Sequence, residues 1–278
     1  MHVLSLSLSS TFFYLFLTST IPISPAKLTI SQPPALRRLE LSGDYYSKKC
    51  PQLENLVGSV TSQRFKEAPI SAPATIRLFF HDCFVEAGGP YYQVKKGRWD
   101  GKRSTATNVP PNIPRSNSTV DQLIKLFSSK GLTVEELVVL SGSHTIGFAH
   151  CKNFVGRLYD YKGTKRPDPS LDLRLLKELR MSCPFSGGSS GVVLPLDATT
   201  PFVFDNGYFT GLGTNMGLLG SDQALFLDPR TKSIALEMAR DKQRFLKAFG
   251  DAMDKMGSIG VKRGKRHGEI RTDCRVFL

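Results

Sequence analysis

No two of the five cysteines in this 278-residue chain stand in a CxxC spacing, which removes the usual signature of a structural zinc site. Five is an odd number, so in a secreted chain at least one thiol has no partner. Beyond the N-terminus no apolar run is long enough to span a bilayer. No internal repeat is present and no strand pattern stands out, which argues against solenoid and all-β architectures. Acidic residues are scarce: 24 Asp and Glu against 37 Lys and Arg leave a net charge of +13. Such an excess suggests an anionic partner, and nucleic acid, acidic polysaccharide and a membrane surface all fit it. The basic residues are scattered, with a tight cluster only at Lys262, Arg263, Lys265 and Arg266. A solvated basic surface is the plainer reading of that cluster.

The length suits one large domain or two small ones, and 40% hydrophobic with 10% aromatic residues fits a globular protein. The N-terminus is apolar from Val3 to Leu17, studded with serine, and Ser24 and Ala26 provide the small residues of a signal-peptidase site. Residues 1–26 are therefore expected to be a signal peptide, although only His2 could supply a positive n-region. Residues 27–40 read as a linker or propeptide-like segment and 41–278 as the working domain. The leader points to a secreted protein of the extracellular space or cell wall, which leaves nucleic acid with charge alone in its favour. The sequon Asn117-Ser118-Thr119 is compatible with secretion.

The remaining pattern is helical. Pro51 suits a first helical position, and Leu53, Leu56, Val57 and Val60 follow on one stripe. Thr75 to Cys83 is short and apolar, with Arg77 and His81 four residues apart and hence on one helical face. Thr119 to Ser129 is amphipathic and stops at Gly131. Thr133 and Glu136 form a capping box, with Leu132 and Leu137 placed for a hydrophobic staple. Ser170 is placed to cap a helix through Leu179, and Asp241 one that carries Phe245, Phe249, Met253 and Met256, a core stripe. Proline-rich and glycine-rich stretches separate these helices. The expectation is a mainly α protein in two lobes with a site between them.

Reductive cleavage of a peroxide O–O bond needs a base that carries a proton from one oxygen to the other, and a fixed positive charge beside the departing oxygen. Histidine suits the first task and arginine the second. Arg77 and His81 offer that pair, with Phe80 helping to keep water out. An isolated Arg-x-x-x-His pair is also read as a surface contact, and the flanking residues decide. Arg77-Leu78-x-Phe80-His81-Asp82-Cys83-Phe84-Val85 resembles the distal motif of the plant secretory (class III) haem peroxidases, and Leu140-Ser141-Gly142-x-His144-Thr145-Ile146-Gly147 their proximal motif. Leu41 to Pro51, Gly97 to Gly101, Leu196-Asp197 through Asn206, Gly217 to Gln223, Met253 to Gly257 and Gly268 to Arg271 continue the likeness to the C-terminus.

That resemblance implies a haem-peroxidase-like two-lobed helical fold and a haem b cofactor. His81 becomes the acid–base residue, Arg77 the charge stabiliser and His144 the axial iron ligand, with Asp222 accepting from the second nitrogen of His144. Thr145, Asp197, Thr200 and Asp205 match proximal calcium ligands, and Val203 could add a carbonyl; all are the hard oxygen donors that calcium demands. Pro110 falls at the reducing-substrate edge, preceded by Val109 in place of leucine. Cys151 and Cys183 match one complete disulfide.

The pattern breaks after Glu86, where Ala87-Gly88-Gly89-Pro90 stands in place of the family's Gly-Cys-Asp-Gly-Ser loop. Ala-Gly-Gly-Pro belongs several dozen residues later in the family, so part of the distal lobe is read as missing. With it go most of the distal calcium site, leaving Asp82 and Val85, and the asparagine that orients the distal histidine. The family partners of Cys50, Cys83 and Cys274 also fall in that stretch, which accounts for the odd count. The implied function is reduction of hydrogen peroxide with oxidation of small phenolic donors, impaired by the deletion. The implied molecule is a monomer with no membrane span, and its basic surface could hold acidic wall polysaccharide. The rival reading is a haem-free, inactive remnant or basic wall-binding protein.

Overall fold

The structure, a computed structural model, describes residues 41–68, 89–103, 105–185 and 191–273. Arg77, His81, Asp82, Val85, Cys83 and Cys274 lie outside the described residues. The described residues are mainly helical, as expected. In chain order the helices are α1 (Leu53–Glu67), α2 (Val120–Ser129), α3 (Val134–Ser141), α4 (Val155–Tyr159), α5 (Leu173–Ser182), α6 (Gly207–Gly213), α7 (Gly220–Leu227), α8 (Pro229–Arg240), α9 (Lys242–Gly257) and the four-residue α10 (Gly264–His267). Two three-residue strands, β1 (Phe148–His150) and β2 (Val193–Pro195), pair antiparallel with Phe148 opposite Pro195. No periodicity reveals strands so short; they exist because they bring distant loops together. Leu39–Leu278 form one compact unit.

Local chemistry sets most helix ends. Thr133 accepts from the Glu136 N–H while Glu136 reaches back to the Thr133 N–H, the reciprocal box expected at α3. Thr119 and Gln122 do the same at α2, a second box that a Thr-x-x-Gln spacing signals as well. Asp241 accepts from the Arg244 N–H and caps α9, as expected. The cap of α5 is Asp172, whose carboxylate takes the Arg174 and Leu175 N–H groups. Ser170 instead donates backbone N–H and hydroxyl to Asp168. Leu132 and Leu137 are both buried but fall in different apolar clusters, so the expected staple is not what fixes the entry to α3.

The largest core lies among α3, α6, α8 and α9. Phe204, Phe209, Phe245 and Phe249 interlock there, with ring centroids 4.9–5.7 Å apart. Met238 and Met253 fill the remaining space. A second core joins β1, α4 and α5 around the Cys151–Cys183 disulfide, which closes a 32-residue separation. Helix α1 departs from expectation. It starts at Leu53, two residues after Pro51, and Leu56 and Val60 of its apolar stripe are 57% and 65% exposed. Periodicity defines an apolar face without saying what covers it. The segment from Gly97 to Gly101 meets that from Gly268 to Arg271 through backbone pairing of Asp100 with Glu269. A Cβ on Gly268 would fall 2.7 Å from that of Trp99, so only glycine allows the two strands of chain this close.

Candidate functional site

Helix α3 delivers His144. Its last turn runs through Gly142 into a 3-10 turn, Gly142–Thr145, so that the imidazole projects just beyond the helix end. A Cβ on Gly142 would lie 2.5 Å from the Phe245 ring and 2.8 Å from the Phe209 ring. The glycine therefore lets this turn settle on the aromatic core. Gly147 follows with φ +102°, a left-handed conformation that reverses the chain into β1.

The β1–β2 register carries the chain from Leu196, whose N–H donates to the Gly147 carbonyl, to Asp197 beside Thr145. Four side-chain oxygens converge at this point. Thr145 Oγ1 lies 3.4 Å from Asp197 Oδ2 and 3.3 Å from Asp205 Oδ1; Thr200 Oγ1 lies 3.1 and 3.0 Å from the same two atoms. Each hydroxyl has one proton and two carboxylate oxygens beside it. Two protons cannot serve four contacts, and the two carboxylates share an interior where Thr145 and Asp197 are buried. A cation among these oxygens would satisfy all four. The cradle is already shaped: a Cβ on Gly207 would sit 2.7 Å from Asp197 Oδ2, 2.7 Å from Thr200 Oγ1 and 2.9 Å from Asp205 Oδ1. The residues predicted from sequence are thus brought together, and their all-oxygen chemistry fits calcium.

Asp222 stands in the first turn of α7, where the helix N-terminus favours a carboxylate. The loop before it is pinned by Arg157 on α4, whose guanidinium donates to the carbonyls of Gly217 and Leu218. Arg157 in turn is paired with Asp168 at 2.7 Å, both side chains buried. Burial alone would raise the Asp168 carboxyl, but hydrogen bonds from Ser170 and Arg157 outweigh it and hold the pKa below its ordinary value. The Ser221 N–H donates to the Ser116 carbonyl and fixes the start of the helix. The outcome is a His144 Nδ1 to Asp222 Oδ2 distance of 3.0 Å, with Asp222 buried and the imidazole 35% exposed. Donation from Nδ1 to the carboxylate places the lone pair of the ring on Nε2, the tautomer in which a carboxylate orients and enriches a ligating imidazole. That chemistry fits a histidine that would ligate a haem iron.

Of the other expected residues, Cys151 and Cys183 form their disulfide. Pro110 opens an exposed 3-10 turn, Pro110–Asn112. Sequence reasoning missed Tyr208, which stands on α6 with its ring centroid 6.2 Å from that of His144 and an interplanar angle of 80°. It also missed the Arg157–Asp168 pair. A spacing of 11 residues through a turn carries no periodic signal for that pair.

The fold and this arrangement define a mainly helical protein in which a carboxylate-paired histidine stands beside a cluster of four side-chain oxygens. The family model described as peroxidase matches residues 85–241. The chain is 74% identical over 346 residues to Peroxidase 19 of Arabidopsis thaliana, with all of both chains covered. It is 33% identical to Peroxidase 73 of the same plant, covering 93% of this chain and 98% of that one. It is 34% identical to Peroxidase 16, covering 84% and 92%. The chain belongs to the plant class III haem peroxidase family, and it is a peroxidase, an oxidoreductase acting on a peroxide and a donor. That assignment favours the enzyme over a haem-free remnant. No helix among the described residues is long and apolar enough to cross a membrane.

Proposed function

We propose that this chain is a secreted peroxidase with an intact iron side and a curtailed peroxide side. The observation that carries the reading is the 3.0 Å His144–Asp222 pair set directly beside the four-oxygen cradle. When bound, haem b supplies the iron at which hydrogen peroxide is reduced and to which phenolic donors return electrons singly. His144 would hold that iron through Nε2, and Asp222 would keep the ring oriented and electron-rich. Thr145, Asp197, Thr200, Asp205 and the Val203 carbonyl would hold a calcium ion, which would brace the residue next to the iron ligand. On the peroxide side His81 moves the proton between the two oxygens and Arg77 stabilises the charge that develops, with Pro110 at the donor edge. Asp82 and Val85 are too few for a full distal calcium shell.

The impairment rests on the break after Glu86. The comparison with Peroxidase 19 spans 346 positions against 278 residues here, a difference of 68, and the family model match begins only at residue 85. Both support a missing distal segment, and with it the partner that would orient His81. The expected result is a Soret band after refolding with haem and calcium, together with peroxide turnover well below that of a full-length relative. Absence of the band overturns the haem reading, and a normal rate overturns the impairment. Sequencing the gene between the codons for Glu86 and Ala87 tests the break itself, since an intron holding the missing segment would mark a splice form. The basic residues Lys102, Lys262, Lys265 and Arg266 are exposed on adjoining segments and fit an acidic wall polysaccharide. Salt-sensitive retention of the monomer on polygalacturonate checks that partner.

A further inference from the structure

We propose that Gln223 is a positioning residue for the His144–Asp222 pair: its buried amide locks the first turn of α7 against rotation and so sets where the Asp222 carboxylate stands. The consequence for iron rests on the reading of His144 as the ligand. Gln223 is 1% exposed. Its Oε1 accepts from the Gly217 N–H at 3.1 Å, and its Nε2 donates to the Leu212 carbonyl at 3.0 Å. An N–H can only donate and a carbonyl only accept, so these partners fix which way the amide points. One side chain thus ties α7 to the last turn of α6 and to the loop between them. Space there is tight: a Cβ on Gly217 would fall 2.9 Å from Gln223 Oε1 and 2.6 Å from Leu212 Cδ2. The N-cap residue of α7, Leu219, makes no side-chain cap bond, so contacts with other segments must hold the turn.

Three successive residues face three different parts of the chain. The Ser221 N–H donates to the Ser116 carbonyl, the Asp222 carboxylate meets His144, and Gln223 holds α6 and its loop. Neighbouring residues on a helix point about 100° apart, so three such contacts leave the turn little freedom. Side-chain tips lie about 5–6 Å from the helix axis, so a rotation of about 10° moves them about 1 Å. That is enough to carry the 3.0 Å His144–Asp222 contact out of hydrogen-bond reach. The test uses Gln223→Met, which keeps the bulk and removes both hydrogen bonds, with circular dichroism as the check on folding. Gln223→Asn, too short to reach both partners, serves if that variant does not fold. In the haem-free chain, nitrogen-edited NMR should show the His144 Nδ1 proton further upfield and exchanging faster with water. In the ferrous haem-loaded chain, resonance Raman should show the iron–His144 stretch at lower frequency. Leu176→Ala, which opens a cavity in the second core and lowers stability without touching α7, should move neither readout. In an Asp222→Asn background neither should respond to Gln223→Met. A moved Nδ1 proton in a chain that takes up no haem would sink the haem reading and leave this proposal standing. Unchanged readouts in Gln223→Met, or equal shifts in Leu176→Ala, would overturn this proposal whether or not haem is taken up.

Discussion

Replacing Gly207 with alanine separates two effects that usually travel together. Gly207 is the first residue of α6, where alanine should be better than glycine by roughly 0.5–1 kcal/mol on helix propensity. The added methyl, however, would occupy the space between Asp197, Thr200 and Asp205, within 2.7–2.9 Å of an oxygen from each. Without calcium these side chains can yield a few tenths of an ångström, so the propensity gain and the crowding should nearly cancel. With calcium they cannot yield, because the ion needs the same oxygens and the same volume. At free calcium of 100 times the Kd, the unmodified chain should gain about 2.7 kcal/mol. For a domain of this size that is a rise in Tm of roughly 5–11 °C, at about 2–4 °C per kcal/mol. The variant should gain less than about a third of it. Thermal melting by circular dichroism in EDTA and in calcium gives both differences, and magnesium, which demands a smaller octahedral site, controls for non-specific ions. An equal calcium-dependent rise in the two proteins would show that the cradle is not where the ion sits.

Gly142→Ala should cost about 1–3 kcal/mol, because its methyl overlaps the Phe245 and Phe209 rings, and a urea midpoint at unchanged slope would register it. Arg157→Met should cost about 3–5 kcal/mol by leaving the Asp168 carboxylate buried without its partner, and the Arg157→Met, Asp168→Asn pair should recover part of that loss. Asp168 has a folded pKa below its unfolded value near 3.8, so the stability it contributes is present above that value and lost as pH falls through the lowered one. Acid titration of unfolding should therefore show a shallower loss below pH 4 in Asp168→Asn. Reducing the Cys151–Cys183 bridge should cost roughly 3–4 kcal/mol for a loop of this length, read from denaturation with and without reductant.

What the sequence disclosed depended on the range over which each signal acts. The capping box of Thr133 and Glu136 and the cap and core stripe of α9 are local patterns, and the structure reproduces them. The expected cap at Ser170 failed because Asp172 lies nearer the first turn and Asp168 claims the serine. The apolar stripe on α1 was legible, but the exposure of Leu56 and Val60 was not, since what covers a face is set by other parts of the chain. His144 with Asp222, and the four-oxygen cradle, were legible only through the order of their motifs. No period links residues 78 apart in sequence. Tyr208 had neither a local pattern nor a recognised role, and only three-dimensional proximity reveals it.

The distance along the chain between His144 and Asp222 also sets a schedule. During synthesis the imidazole leaves the ribosome 78 residues before the carboxylate that will hold it. Throughout that interval the ring has no fixed tautomer and no fixed direction. An iron-bearing cofactor that arrives early meets an undirected histidine. On the proposed reading of His144 as the iron ligand, productive capture would wait until α7 has emerged and docked, and the assembly of this centre would be a late event in the life of the nascent chain.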